Sequence, residues 1–403
     1  MERFLRRAWA EIDLDAVVDN YQEAKKNLPS GTKIMAVLKA DANNIGDFAL
    51  VDVLEQFFDD WYAVSNIREA ILLREHGTTK PILILGYTPI SMVDMLAKYQ
   101  ITQAILSAEY ADLLISEAKR INKRIDVHIK LDTGMSRVGI MCYDDYIESF
   151  ITDCKAIFEE PFLNVKGIFT HIATFYNLDS DSNEFTDLQF NRFMKACDLL
   201  QQRGYDVGLR HCCNSPGMVN HPDKALDMVR IGTALFGGLI EEYNLRSIPF
   251  KQCLTIKTAI SCVKTIDKGT YVGYGRSFQA SRKTKVATLS IGYSDICRIG
   301  MGLGSVLIND QICQVIGAVS MDQCTVDVTH VQSVQIGDEA ILLGKSNVNE
   351  ITLSMLATFL DTDPEEVYCR LTKRLPHLYF KNGKPCYWVE YLPQICINGF
   401  DDY

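Results

Sequence analysis

The feature that most limits the fold of this chain is an eightfold alternation over its first 240 or so residues. Short apolar runs at 34–38, 60–65, 81–86, 101–106, 125–131, 165–170, 209–213 and 226–230 are separated by longer amphipathic stretches. The runs are mostly β-branched and almost continuously apolar, as strands are when neither face meets water. Between them lie helical patterns at 14–28, 109–121 and 185–204, the last closing on Gly204, a residue suited to stopping a helix. Eight strand–helix units in about 240 residues is the count and length of a (β/α)8 barrel. An open, doubly wound sheet would favour a glycine-rich turn after its first strand, and MAVLKADANNIG has no G-x-G-x-x-G. The expected class is therefore α/β, with a TIM-like barrel first.

Near residue 250 the texture changes. From CLTIKTAISCVKTI to DEAILLG, short strands recur with turn residues between them, and only 351–363 reads as helix before a last strand near CYWVEYL. This predicts a barrel over 1–244 and an all-β domain over 245–403, with the extreme N-terminal strand free to join the latter. Charge narrows the partners. Asp and Glu total 51 against 41 Lys and Arg, a net −10, which disfavours a nucleic-acid backbone or an anionic membrane. No apolar run approaches the roughly 18–20 residues of a membrane span, and MERFLRRAWAEIDLD lacks the apolar core of a secretion leader, so a cytoplasmic protein is expected. The 13 cysteines are scattered, with no C-x-x-C pair and no metal-like spacing to histidine. They read as small apolar core residues in a reducing compartment, with neither disulfides nor a bound metal.

On a barrel, the unusual polar residues fall at one end. Lys39 follows the first strand, Lys130 and Arg137 lie at or after the end of the fifth, and His171 follows the sixth. Asn214 and Ser215 follow the seventh, and Arg230, Gly232 and Thr233 close the eighth. Barrel enzymes carry their chemistry at these strand ends, often with a phosphate site after strands seven and eight. NSPG and RIGT supply small, backbone-exposing residues there. Singly, each residue reads as an ordinary loop or turn group; together they mark a site.

These residues also carry a resemblance. AVLKADA (36–42), HIKLDTGMSRVGI (128–140), GIFTHIA (167–173), HCCNS (211–215), VRIGTALFG (229–237), VGYGRSF (272–278), LSIGYSD (289–295) and VIGAVSMDQ (315–323) follow one another as they do in the alanine racemase family. The resemblance implies a pyridoxal-phosphate-dependent isomerase acting as a homodimer, with each active site shared across the interface. Racemisation removes an amino acid's α-hydrogen and returns a proton to the other face, and the cofactor supplies the electron sink that a side chain cannot. The family implies that Lys39 carries the cofactor and acts as one base, and that Tyr274, lent by the partner chain, acts as the other. By the same resemblance, Arg230 meets the pyridine nitrogen, His171 flanks the ring, and Asn214, Ser215, Gly232 and Thr233 hold the phosphate. The resemblance also implies that Arg137 binds the substrate carboxylate with the backbone N–H of Met321 from the partner chain. Lys130 is carbamylated in many relatives, although a simple pairing with Asp132 is an equally available reading. Tyr293 and Asp322 match positions that orient the catalytic tyrosine. The implied role is production of D-alanine for cell-wall precursors.

Four positions depart from the family pattern. Asn43 replaces a tyrosine that touches the phosphate, Phe236 replaces the tyrosine of L-Y-G, and Ile296 stands where G-Y-A-D-G has its second glycine. Glu365 aligns with a second phosphate-side tyrosine, where a carboxylate would repel the phosphate. These changes leave open a racemase for a larger amino acid, serine or a basic one, and a cofactor-binding paralogue without turnover.

Overall fold

The computed structural model describes residues 4, 6–57, 60–239, 244–297 and 304–391. Residues 240–243 of the predicted boundary and Leu392 of CYWVEYL lie outside that set. The chain forms two compact units, Val18–Lys251 and Met1–Val17 together with Gln252–Tyr403.

The first unit is a nearly closed barrel of eight parallel strands. They are β1 (Lys33–Val37), β2 (Trp61–Val64), β3 (Ile82–Ile84), β4 (Thr102–Ile105), β5 (Ile125–Asp132), β6 (Leu163–Phe169), β7 (Leu209–His211) and β8 (Met228–Ile231). Pairing runs in sequence from β1 to β7, and β8 pairs with β1 in the register Met228↔Lys33 to Ile231↔Ala36. Backbone bonds from Asp227 to Arg210 (3.1 Å) and from Arg230 to Cys213 (2.9 Å) bridge the seam between β7 and β8. Met35, Trp61, Ala63, Leu83, Ala104, Phe169 and Met228 fill the interior. A packed barrel core, rather than a pore, holds the strand-end loops in place.

The helices follow local sequence signals. Asn66 caps Ile67–Glu75 by accepting from Arg68 and Glu69, and Ser107 caps Ala108–Ile121 by accepting from Tyr110. The long helix Ser180–Gln201 ends three residues before the predicted stop; Gly204, at φ 86°, forms the following turn instead.

The second unit is built on strands. The N-terminal strand Ala8–Asp13 lies between Leu254–Ile266, to which it is antiparallel, and His377–Lys381, to which it is parallel. Leu254–Ile266 is long enough to pair with Glu339–Lys345 at one end and Thr284–Leu289 at the other. Beside the predicted helix, observed at Leu353–Leu360, a second helix spans Pro364–Cys369, where the sequence reading had none. Its signal is present, with Asp363 before Pro364 and two glutamates in the first turn, but six residues leave no periodicity to read. Every described cysteine is a free thiol, and no described helix is long and apolar enough to cross a membrane. Among the described residues no cluster of His, Cys, Asp or Glu could hold a metal.

Candidate active site

Lys39 sits on an unusual piece of backbone. After β1, residues Ala40 to Asn44 all take positive φ, from 49° to 61°, so the turn winds left-handed. None of the five is glycine, and such a conformation costs L-residues about 1–2 kcal/mol each. Long-range contacts hold it. Glu69, from helix Ile67–Glu75, accepts from the backbone of Ala40 (3.0 Å) and Ser65 (2.7 Å). Asp41 accepts from the Asp47 backbone (3.0 Å), while Ala42 and Ile45 anchor the turn as fully buried side chains. Asp47 is buried, and its carboxyl is pushed up to about 7 by that burial, by the charge of Asp41 and a hydrogen bond to it, and by Glu69. The result is an exposed Lys39 on a rigid support. The Asn43 side chain, on the same turn, is half-buried and makes no hydrogen bond among the described residues.

Arg230 is the hub of the barrel's strand-end face. It is 5% exposed, and Nη1 and Nη2 reach the carbonyls of His211 (3.2 Å), Thr170 (2.9 Å) and Cys212 (2.9 Å). They also meet His211 Nδ1 (2.9 Å) and His171 Nδ1 (3.1 Å). A guanidinium only donates, so both imidazoles accept at Nδ1 and carry their proton on Nε2. His211 Nε2 then donates to His128 Nδ1 (2.9 Å), in the barrel interior. Burial first, and Arg230 second, hold His171 and His211 well below the usual imidazole range, hence neutral. Burial lowers Arg230 itself to about 10, so it stays cationic at neutral pH. Its Nε has no partner among the described residues.

Lys130, at the end of β5, is buried and has no ion-pair partner among the described residues. Asp132 turns instead to the backbone N–H groups of Gly134 (2.9 Å) and Ser136 (3.1 Å), so the lysine–aspartate pair left open by the sequence is not formed. Burial, Arg230 and Arg137 together hold the Lys130 amine well below its ordinary value. Arg137 is exposed on the loop that follows. That loop is held from the Ser180–Gln201 helix: Gln189 Nε2 donates to Thr133 Oγ1 (3.1 Å) and Arg192 to the Thr133 carbonyl (3.1 Å). Gln189 Oε1 also accepts from Ala173 (2.8 Å), which ties the His171 segment to the same helix.

After β7, Asn214 caps Ser215–Asn220 by accepting from Gly217 (3.0 Å). Ser215 Oγ accepts from the backbones of Gly232 (3.1 Å) and Ala234 (3.2 Å), which leaves its own proton to donate. Thr233, beside it, is buried with no partner for its hydroxyl among the described residues. Lys39, Lys130, Arg137, His171, Asn214, Ser215, Arg230, Gly232 and Thr233 thus lie at the C-terminal ends of the barrel strands or in the segments that follow them. Sequence reading missed Glu69, Thr170, Gln189, Arg192 and His211, which hold the others. Gln189 and Arg192 did carry a signal, since two polar residues three apart share one helix face.

The β unit groups Tyr274, Tyr293, Met321 and Asp322 around the loop 315–323. Tyr274 follows Gly273, whose φ is 78° and where any Cβ would lie 2.6 Å from the Ala318 nitrogen. Ser277 Oγ accepts from Ala318 (2.7 Å), which fastens the tyrosine turn to that loop. Tyr293 donates its backbone N–H to Ser320 (3.2 Å), and Ser294 Oγ donates to the Met321 carbonyl (2.7 Å). Arg374 donates to Asp322 (2.7 Å) and to Ser294, and it holds the Asp322 carboxyl below the usual range. The Met321 N–H makes no hydrogen bond among the described residues. Of the departures, Phe236 and Ile296 are fully buried, and Glu365 is half-buried in the first turn of Pro364–Cys369.

Comparison with known proteins gives the same outline. The family model "Alanine racemase, N-terminal domain" matches residues 12–239, and "Alanine racemase, C-terminal domain" matches 253–379. The alanine racemase of Clostridium tetani is 36% identical over 386 residues, covering 95% of this chain and 98% of that protein. That of Methanococcus maripaludis is 32% identical over 372 residues, or 92% and 98%. Among solved structures, the alanine racemase of Clostridium difficile 630 superposes with a TM-score of 0.89 at 31% identity, covering 97% of this chain and all of that one. Fold and comparisons place the molecule among the isomerases built on a barrel followed by a β domain. It belongs to the alanine racemase family.

Proposed function

We propose that this chain racemises alanine with pyridoxal 5′-phosphate as cofactor, acting as a cytoplasmic homodimer that supplies D-alanine for cell-wall precursors. The observation that carries the reading is the Arg230 hub, a buried cation with both Nη groups spent on five acceptors and Nε uncommitted. That arrangement fits an aromatic nitrogen acceptor. The other donors fit the same group: the free protons of Ser215 and Thr233, with the Gly232 segment, suit a phosphate, and the exposed Lys39 amine suits an aldehyde. When bound, the cofactor would make the amino acid's α-hydrogen acidic enough for a side chain to remove.

The protein's own residues then divide the work. Lys39 Nζ takes the α-proton on one face, and the Tyr274 hydroxyl of a second copy returns one on the other, with roles exchanged in the reverse direction. Arg230, still charged at neutral pH, gives up no proton to its acceptor and so keeps the electron sink weak. Arg137 binds the substrate carboxylate, with the free N–H of Met321 from the second copy as another donor. The depressed Lys130 amine is neutral enough to add carbon dioxide, and a carbamate there would face Arg137. Tyr293 and Asp322 fix the loop that carries Met321 and so support the tyrosine side.

The test is chiral chromatography of products from a panel of L-amino acids with added pyridoxal phosphate. D-Alanine should form ahead of all others and vanish in Lys39→Ala and Tyr274→Phe. A preference for serine or a basic amino acid would shift the reading to the racemase that Asn43 and Glu365 left open, and bound cofactor without turnover would leave a carrier.

A further inference from the structure

At the strand-start end of the barrel, opposite the loops of Lys39 and Arg230, lies a cavity of about 520 Å³. Small-molecule sites have volumes of roughly 300–1,000 Å³. Residues at the starts of successive strands build its wall: Trp61 on β2, Pro81 before β3, Thr102 on β4 and Asp126 near the start of β5. Pro81 and Ala97 offer apolar surface, while Arg124 and Lys166 bring positive charge.

Those two cations are uncommitted. Arg124 is exposed and makes one long contact, 3.4 Å from Nε to the Leu163 carbonyl. Lys166 is exposed and has no hydrogen-bond or ion-pair partner among the described residues. Arg74 also lines the cavity, but four of its five N–H groups donate to backbone carbonyls, so it contributes charge with a single N–H to spare. The one carboxylate in the lining, Asp126, is engaged by Asn164 at 2.5 Å. In a chain of net charge −10, a cavity where cations outnumber carboxylates runs against the average.

The position of Lys166 is built rather than incidental. β5 and β6 pair as Val127↔Val165 and then His128↔Gly167, so Lys166 is the extra residue of a bulge. Bulges break the alternation of a strand and re-aim a side chain, often at barrel rims. This one depends on Gly167, where a Cβ would stand 2.7 Å from the His128 ring. Trp61 packs against that ring, with 5.0 Å between centroids. The cavity wall is therefore continuous with the imidazole chain that ends at Arg230.

We propose that this cavity is a second ligand site, which takes a small organic dianion with an apolar end. Arg124 and Lys166 hold the charge, and Trp61, Pro81 and Ala97 pack the apolar part. A phosphate monoester is the simplest member of that class.

Calorimetric titration with phenyl phosphate tests this, using cofactor-loaded protein freed of unbound cofactor, at low ionic strength. Saturable one-site binding is expected, several-fold tighter than for inorganic phosphate. Arg124→Ala combined with Lys166→Ala should weaken it by about tenfold or more, because charge-assisted hydrogen bonds are lost. Both side chains are exposed, so the variant should keep its circular dichroism and melting temperature. Three results would overturn the proposal: no saturation, equal affinity for phenyl and inorganic phosphate, or affinity unchanged in the double variant. Weakening by Ser215→Ala in its place would put the probe in the loops assigned to the cofactor phosphate. That outcome counts against the second site while leaving the racemase reading intact, and failure to racemise would not touch the binding result.

Discussion

In the barrel, Arg230 is 5% exposed and its Nη groups meet five acceptors; in the β unit, Tyr274 is 74% exposed and its hydroxyl has no partner among the described residues. Both lie on segments fixed by backbone hydrogen bonds, but only the first is fixed through its own side chain. A buried, wired cation is prepared before any ligand arrives, and its removal must disturb the fold as well as the chemistry. An exposed phenol on a rigid turn is prepared in position only. It needs a second surface to become dry, which is what a homodimer with shared sites would provide.

That contrast can be broken by separating activity from stability. Lys39→Ala, on an exposed side chain, should cut racemisation by about 10⁴-fold, the upper range for a general base, with no loss of stability. Chiral assay and thermal melting on one preparation check this. Arg230→Met should destabilise even the cofactor-free protein by about 3–5 kcal/mol, since buried acceptors are left unmet. Urea unfolding reads it, and a loss below about 1 kcal/mol would show the hub to be dispensable for folding. Tyr274→Phe should lower turnover by about 10²–10⁴-fold and leave the urea midpoint unchanged. Equal stability losses in Arg230→Met and Tyr274→Phe would erase the distinction between the two regions.

A smaller effect sharpens the same comparison inside the barrel. Gln189 is fully buried and joins the Thr133 and Ala173 segments. Gln189→Ala should cost about 1–3 kcal/mol through unsatisfied groups. It should raise KM more than it lowers kcat, since the loop it fixes carries Arg137 rather than Lys39. A kcat effect without a KM effect would mean that the Arg137 loop is held in another way.

What the sequence made legible follows from how local each signal is. The eight strands could be read because most are buried on both faces and so are almost continuously apolar, and the order of strand ends then placed Lys39, His171, Ser215 and Arg230 on one face. The support of Lys39 could not be read this way. Alanine and aspartate do not announce a left-handed turn, and the group that fixes it, Glu69, stands 29 residues away on another helix. The imidazole chain was hidden for a similar reason: His128 and His211 are 83 residues apart, and they meet only once β5 and β7 face the same interior. Local pattern gave the strands and their ends, while side-chain wiring across strands needed the fold.

The smallest prediction concerns the turn itself, where acid groups hold a strained backbone. The Asp47 carboxyl has its proton affinity raised from an ordinary 3.8 to about 7 by burial, by Asp41 and by Glu69. The folded protein therefore binds this proton more tightly than the unfolded chain does. Stability from this group is greatest below pH 3.8, declines as pH climbs toward about 7, and is flat above it. Asp47→Asn keeps a donor facing Asp41 at every pH and removes the charge. At pH 8 it should stabilise the protein by about 1 kcal/mol or more, the worth of one retained hydrogen bond without the repulsion, and at pH 5, where the folded carboxyl still holds its proton, the gain should be smaller. Urea midpoints at the two pH values, read on the cofactor-free protein, test this directly. If Asp47→Asn shifts both midpoints alike, the Asp47 carboxyl does not titrate across this range, and the left-handed turn under Lys39 owes its support to Glu69 and the buried Ala42 and Ile45 rather than to that proton.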